Sequence, residues 1–256
     1  MSTRAEIADM VTSLTTAVED RTAMSRLTAR YPELDLPTAY RVQAELRAAA
    51  GPLVGWKLGV TSRAKQAQVG VDSPVYGFLP GAATLDISEA LDTSRLIQPR
   101  CEPEIVLVLG HDLSGSHVSA VDVLAATSGV AVGIEVLDSR YAGYDFTMPD
   151  VVADNTSAAK FVVGTPVAPT GVDLRLVGVV FEHNGKVAAT ASGAAALGHP
   201  AAAAAWLVRQ LAAEDKGLRA GDIVLTGGLT AAVAVEAGDV VVASVDRIGS
   251  VELACR

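Results

Sequence analysis

The feature that most limits the fold is a change of texture near residue 53. Before it, apolar residues recur at helical spacing; after it, short β-branched runs alternate with Gly, Pro, Asp and Asn. Strands that arrive late and without a helix between each pair do not build a doubly wound parallel sheet, so the chain reads as α+β. Strands are predicted over 54–60, 104–109, 131–137, 160–163, 174–182, 186–191, 223–226 and 240–245. The sharpest local signal is His183-Asn184-Gly185-Lys186, where Asn-Gly supplies the positive φ of a tight hairpin. A helix over 3–20 is predicted from the capping pair Thr3 and Glu6 and from Ile7, Met10, Val11, Leu14 and Val18 on one face. A second covers 37–50, with Ala39, Tyr40, Gln43 and Leu46 at helical spacing and Gly51 as its stop, and a third follows Pro200 over 201–211. Residues 1–52 thus form a helical segment and 53–256 a β-rich domain, read together as one continuous domain.

Composition narrows the function classes. Half of the 256 residues are hydrophobic, enough for a large core. The apolar stretches, such as 201–208 and 176–181, are far shorter than the ~20 residues a spanning helix needs. The expected location is the cytoplasm, with no membrane partner. A net charge of −9 with no Lys/Arg run argues against nucleic acid. Cys101 and Cys255 belong to no metal-binding or redox pair and read as thiols in a reducing compartment. An acidic enzyme acting on an acidic substrate must gather positive charge locally, from a metal ion or a few placed cations.

Three glutamates fit that need. Glu102 and Glu104 are two apart at the head of an apolar strand, so strand alternation puts both on one face. Glu135 lies in a run, 132–137, too apolar to hold a carboxylate without a partner. A divalent cation would resolve both the burial cost and the mutual repulsion, and all-oxygen ligation points to Mg²⁺ or Mn²⁺. The alternative is a set of solvated strand-end carboxylates. Pro103 fits a strand entrance or edge better than a central ladder position. Lys57 interrupts the apolar strand 54–60, opposite in face to Trp56 and Leu58, and either snorkels to water or meets an anion. The polar knot 151–157 either positions a ligand or caps a turn, and Gly227-Gly228 either admits a ligand anion to the backbone or makes a plain turn. The four histidines lie in polar or turn contexts, and no Gly-x-Ser-x-Gly nucleophile pattern occurs.

Taken in order, GWKLGVTS at 55–62, GVDSPVYGFL at 70–79, Glu102-Pro103-Glu104, IEVLDSR at 134–140, VADN at 152–155 and Thr226-Gly227-Gly228 resemble the hydratase and decarboxylase branch of the fumarylacetoacetate hydrolase superfamily. The likeness runs from about Tyr31 to the end of the chain. It implies a mixed β-roll or sandwich core with N-terminal helical decoration, and a homo-oligomer. It further implies that Glu102, Glu104 and Glu135 ligate Mg²⁺ or Mn²⁺, that Lys57 and Asp154 are catalytic, and that Tyr76, Leu79, Asn155 and Thr226 border the substrate. The implied activity is decarboxylation of 2-oxo-3-hexenedioate to 2-hydroxypenta-2,4-dienoate, with a hydratase as a possible partner enzyme. Hydration of 2-hydroxypentadienoate on the same scaffold is the alternative. Carbon-carbon hydrolysis of an acylpyruvate is disfavoured because no histidine precedes His111. A non-catalytic binding member of the family is the remaining reading, and a mere scaffold has no reason to retain buried unpaired carboxylates.

Overall fold

A computed structural model describes residues 3–62, 66 and 73–256. Residues 70–72 of the GVDSPVYGFL stretch lie outside them. Among the described residues no helix is long and apolar enough to cross a membrane.

The N-terminal helix α1 (Arg4–Asp20) starts at the predicted box: Glu6 N–H donates to Thr3 Oγ1 at 3.2 Å, and Thr3 N–H to Glu6 Oε2 at 2.6 Å. It buries Ile7, Met10 and Leu14, whereas Val18, expected on the same face, is 49 % exposed near the helix end. After the short α2 (Leu27–Arg30), α3 (Leu36–Ala49) begins one residue before the predicted start. Asp35 caps it by accepting from Thr38 N–H, and Pro37 stands in the first turn.

The sheets are built from β1 (Leu53–Gly59), β2 (Val75–Pro80), β3 (Thr84–Leu85), β4 (Arg100–Leu109), β5 (Thr127–Leu137), β6 (Ala158–Val163), β7 (Gly178–His183), β8 (Lys186–Ser192), β9 (Ile223–Leu225), β10 (Val233–Ala234), β11 (Val240–Val245) and β12 (Gly249–Ala254). One mixed sheet runs β2-β1-β9-β4-β5-β6-β3, with β10 also paired to β4; β1–β9 and β3–β6 are parallel. The second, β12-β11-β7-β8, is antiparallel and packs on β4 and β5. A curled half-barrel against a second sheet, with helices around them, is the expected roll-and-sandwich core.

The two faces of the large sheet differ in chemistry. Trp56, Leu58, Phe78, Ile105, Leu107, Ile134 and Val224 point outward into the main core, against Phe181, Val241 and Leu253 of the second sheet and Leu207 of the helix Pro200–Ala212. The cross-strand pairs Lys57–Gly77, Lys57–Leu225, Val106–Leu225, Glu104–Gly133, Glu102–Glu135 and Glu135–Phe161 place those residues together on the inner face.

Several boundaries differ from the sequence reading. The strand expected over 54–60 stops at Gly59 because Val60 takes φ 57°. Residues 174–177 precede rather than belong to β7, and β2, β3, β10 and β12 were not anticipated. Pro103 is inside β4, paired with Ile134, not at its entrance. The position costs no ladder bond, because its carbonyl faces the segment after β9 and accepts from Leu229 N–H at 3.0 Å, so its ring nitrogen faces that way too.

Candidate active site

Adjacent antiparallel strands β4 and β5 bring the three glutamates together. Glu102 sits opposite Glu135, and Glu104 follows on the same face beside Gly133. One carboxylate oxygen from each lies within 4.8 Å of the others, and the residues are 4 %, 0 % and 0 % exposed for Glu102, Glu104 and Glu135. Glycines make the room: a Cβ on Gly228 would stand 2.1 Å from Glu102 Oε2, and one on Gly133 2.6 Å from Val106 Cγ2.

Lys57 reaches this cluster from β1, with its Nζ 3.1 Å from Glu135 Oε2 and 3.4 Å from the Thr156 carbonyl. It is 1 % exposed, so of the two alternatives for this lysine the structure shows the anion contact. One ammonium cannot balance the site. Burial pushes the Glu104 carboxyl well above its ordinary range, with Glu135 and Glu102 adding repulsion; burial also raises Glu135, against the pull of Lys57.

Among the described residues Glu104 Oε1 and Glu135 Oε1 meet no hydrogen-bond donor, and Glu135 Oε2 pairs with the Lys57 ammonium. Orphaned carboxylate oxygens converging at this spacing fit a hard divalent cation. The remaining Glu104 oxygen accepts from Gly227 N–H at 2.6 Å, which orients that carboxylate.

The other expected site residues divide. Asp154 is fully buried but clasped by Arg140: Arg140 Nε donates to Oδ1, its backbone N–H to Oδ2 at 3.2 Å, and Nη2 to the Asp154 carbonyl. Burial nevertheless pushes its carboxyl up to about 6, outweighing Arg140. Asn155 is committed to β2, since its amide donates to the Phe78 carbonyl at 3.0 Å and its Oδ1 accepts from Phe78 N–H at 2.9 Å. Thr226 donates to the Ile105 carbonyl at 2.8 Å. Leu79 is on the inner face. Tyr76 is a correction: strand alternation turns it to the outer face, where it stacks on Tyr40 at 4.6 Å and donates to Glu214 at 2.8 Å. The knot 151–157 is partly a helix, Met148–Ala153, followed by three consecutive non-glycine residues with positive φ, Asn155 at 45°, Thr156 at 53° and Ser157 at 60°.

Sequence reasoning passed over Arg140 as a site residue, although it stands in the quoted IEVLDSR stretch. Its partner is fourteen positions away, and only a buried arginine between apolar runs could have signalled it. A cavity of about 350 Å³ opens between α1, α3 and the sheet, lined by Leu14, Leu46, Leu79, Phe161, Arg140 and Asp154; none of the three glutamates is on its wall.

Residues 56–255 match the family described as fumarylacetoacetate (FAA) hydrolase C-terminal. The chain is 41 % identical over 242 residues to a 4-oxalocrotonate decarboxylase of Pseudomonas sp. (strain CF600), covering 93 % of this chain and 92 % of that protein. It is 39 % identical over 256 residues to a 2-keto-4-pentenoate hydratase of Paraburkholderia phymatum, covering 98 % of each. Among solved structures, the 4-oxalocrotonate decarboxylase from Pseudomonas putida G7 complexed with magnesium and adipate superimposes with a TM-score of 0.96 at 38 % identity, over 100 % of this chain and 99 % of that one. On the family match over residues 56–255, the identity over nearly its whole length and the superposition of its fold, the chain belongs to the fumarylacetoacetate hydrolase family.

Proposed function

We propose that this protein is a divalent-metal-dependent lyase that decarboxylates 2-oxo-3-hexenedioate (4-oxalocrotonate) to 2-hydroxypenta-2,4-dienoate and CO₂. The observation that carries the reading is the buried cluster of Glu102, Glu104 and Glu135 facing Lys57, in which Glu104 Oε1 and Glu135 Oε1 have no hydrogen-bond partner among the described residues. The fold around it superimposes on a decarboxylase complexed with magnesium and adipate, a saturated dicarboxylate of the same chain length as the substrate.

Glu102, Glu104 and Glu135 would hold Mg²⁺ or Mn²⁺. When bound, the ion supplies Lewis acidity toward the C1 carboxylate and C2 oxo oxygens, where negative charge collects as the reaction proceeds. Cleavage of the C5–C6 bond releases CO₂, and its electron pair moves along the unsaturated chain to the C2 oxygen, which takes up one proton. Lys57 is the acid placed to hold that proton, with Glu135 and the Thr156 carbonyl fixing its ammonium. The inner wall of β2 beside Lys57 carries Val75, Gly77 and Leu79. An apolar wall disfavours a carboxylate there and favours its loss as a neutral molecule. Asp154, paired with Arg140, acts on the turn that follows it.

Hydration is the second reading, favoured by the hydratase relative at 39 % identity. Two further elements belong to the proposal. A homo-oligomer is one, and a hydratase as partner enzyme that consumes the reactive dienol product is the other. The deciding experiment is incubation of metal-stripped protein with 2-oxo-3-hexenedioate, with and without Mg²⁺ or Mn²⁺. Metal-dependent CO₂ release with formation of the dienoate is expected. Absence of CO₂, with hydration of separately supplied 2-hydroxypentadienoate, would transfer the assignment to a hydratase.

A further inference from the structure

One buried hydroxyl beside the glutamates has no work in the protein alone. Thr61 is 1 % exposed, and its Oγ1 meets no hydrogen-bond partner among the described residues. Four donors of the segments around the cluster are committed elsewhere. Gly227 N–H goes to Glu104, Thr226 Oγ1 to the Ile105 carbonyl, Thr156 Oγ1 to the Asn155 carbonyl, and Thr230 Oγ1 to the Ala231 carbonyl.

The backbone around Thr61 is arranged at a cost. Val60, a β-branched residue, takes φ 57°, which ends β1 and turns the chain just before Thr61. The turn is held by Gln66 Nε2 donating to the Val60 carbonyl at 3.0 Å and by Leu197 N–H donating to the Thr61 carbonyl at 3.2 Å. On the other side Gly227 takes φ 107°, and a Cβ there would stand 2.1 Å from Thr61 Oγ1. Gly227 therefore touches the Thr61 hydroxyl through its missing side chain and Glu104 through its amide. The next residue, Gly228, lies against Glu102. Strained backbone on one side and an obligatory glycine on the other hold an unsatisfied hydroxyl at the edge of the carboxylate cluster. Leaving such a group buried and unpaired is unfavourable, so a ligand that accepts its hydrogen bond is the economical explanation.

We propose that Thr61 is a substrate-binding residue whose hydroxyl donates to the C1 carboxylate of a 2-oxo acid seated at Glu102, Glu104 and Glu135. This rests on the metal-dependent reading above. It is a separate claim about one donor, which would select ligands that carry an acceptor oxygen next to the oxo group.

The test uses oxalate, a small metal-chelating dianion, as the probe. Calorimetry would measure Mg²⁺ alone, then oxalate with saturating Mg²⁺, for the full-length protein and for Thr61→Val and Thr61→Ser, and melting of the metal-free proteins would be followed in parallel. Removing a hydrogen bond to a charged group while keeping the shape predicts about tenfold weaker oxalate binding in Thr61→Val. Binding within about threefold of wild type is expected in Thr61→Ser, with Mg²⁺ affinity little changed in both. Metal-free Thr61→Val should melt no lower than wild type, because a methyl replaces an unsatisfied hydroxyl. Unchanged oxalate affinity in a normally melting, Mg²⁺-binding Thr61→Val would overturn the assignment while leaving the metal site intact. Failure of wild-type protein to bind Mg²⁺ would overturn the metal reading, and Thr61's role with it.

Discussion

With two carboxylates of like charge beside it and its own side chain fully buried, Glu104 ionises only as far as its surroundings supply positive charge. Its carboxyl is raised by burial first and by Glu135 and Glu102 next. A raised carboxyl favours the folded state below its ordinary range, and that contribution is lost as the pH climbs through the raised value. The metal-free protein should therefore lose stability from mildly acidic toward neutral pH. Urea midpoints across that range, compared with Glu104→Gln, measure the effect, and a wild-type slope no steeper than the variant's would contradict it. Added Mg²⁺ should restore wild-type stability at neutral pH by mass action and leave Glu104→Gln nearly unmoved. The same variant should lose metal-dependent turnover by about 100-fold or more while keeping its fold. Lys57→Met removes the cation that pairs with Glu135, a contact at 3.1 Å between side chains that are both buried. It should cost about 3 kcal/mol of metal-free stability at neutral pH. The loss should shrink once Mg²⁺ is added, and chemical denaturation with and without the ion reads both values.

Between β5 and β6, the segment that carries Asp154 shows how elements share the burden. Arg140 Nη1 reaches the Asp138 carbonyl at 2.7 Å and the Ala158 carbonyl at 3.3 Å, while Nε and Nη2 hold Asp154, so one guanidinium ties both ends of the left-handed turn 155–157. That turn presents the Thr156 carbonyl to Lys57, and Gly77 is a glycine because a Cβ would meet Asn155 Oδ1 and Thr156 Oγ1 at 2.7 Å. Asp154 rises from 3.8 to about 6, so its protonated form stabilises the fold below about pH 4 and the contribution of about 3 kcal/mol fades by about pH 6. Asp154→Asn should flatten that interval of the stability profile, and a profile parallel to wild type would mean that Arg140 fully compensates the charge. Little of this turn could be read from the sequence. Alternation alone put Glu102 with Glu104, and Lys57 opposite Trp56, because a strand's period is local. Positive φ at Asn155, Thr156 and Ser157 is imposed by tertiary partners, as is the pairing of Arg140 with a residue on another element. Pro103 misled for a related reason: its tolerance inside β4 depends on which neighbour its missing N–H would have faced.

At the scale of the whole molecule, the opening helices and the β-rich remainder share a core. Ile7, Met10 and Leu14 of α1 and Ala39 and Val42 of α3 pack in one cluster with Val75 of β2, Tyr141, Val152 and Ala153. Gln43 of α3 also donates from its amide to the carbonyls of Tyr76 at 2.9 Å and Val152 at 3.0 Å. We therefore propose that segments 1–52 and 53–256 are one folding unit. Each fully buried aliphatic side chain contributes about 1.5–3 kcal/mol. Removing residues 1–20 takes away Ile7, Met10 and Leu14, and so about 5 kcal/mol or more. That loss is comparable with the whole stability of an ordinary domain, about 5–15 kcal/mol. The truncated chain should fail to give a cooperative transition, whereas the full chain should unfold with far-ultraviolet and near-ultraviolet dichroism coinciding. Two separated transitions in the full chain would instead make the helical segment its own domain. In that case the Gln43 contacts to β2 and to the helix before Asp154 would be a docking interface, and loosening it would disturb the turn beside Lys57 before the β-sheets melted.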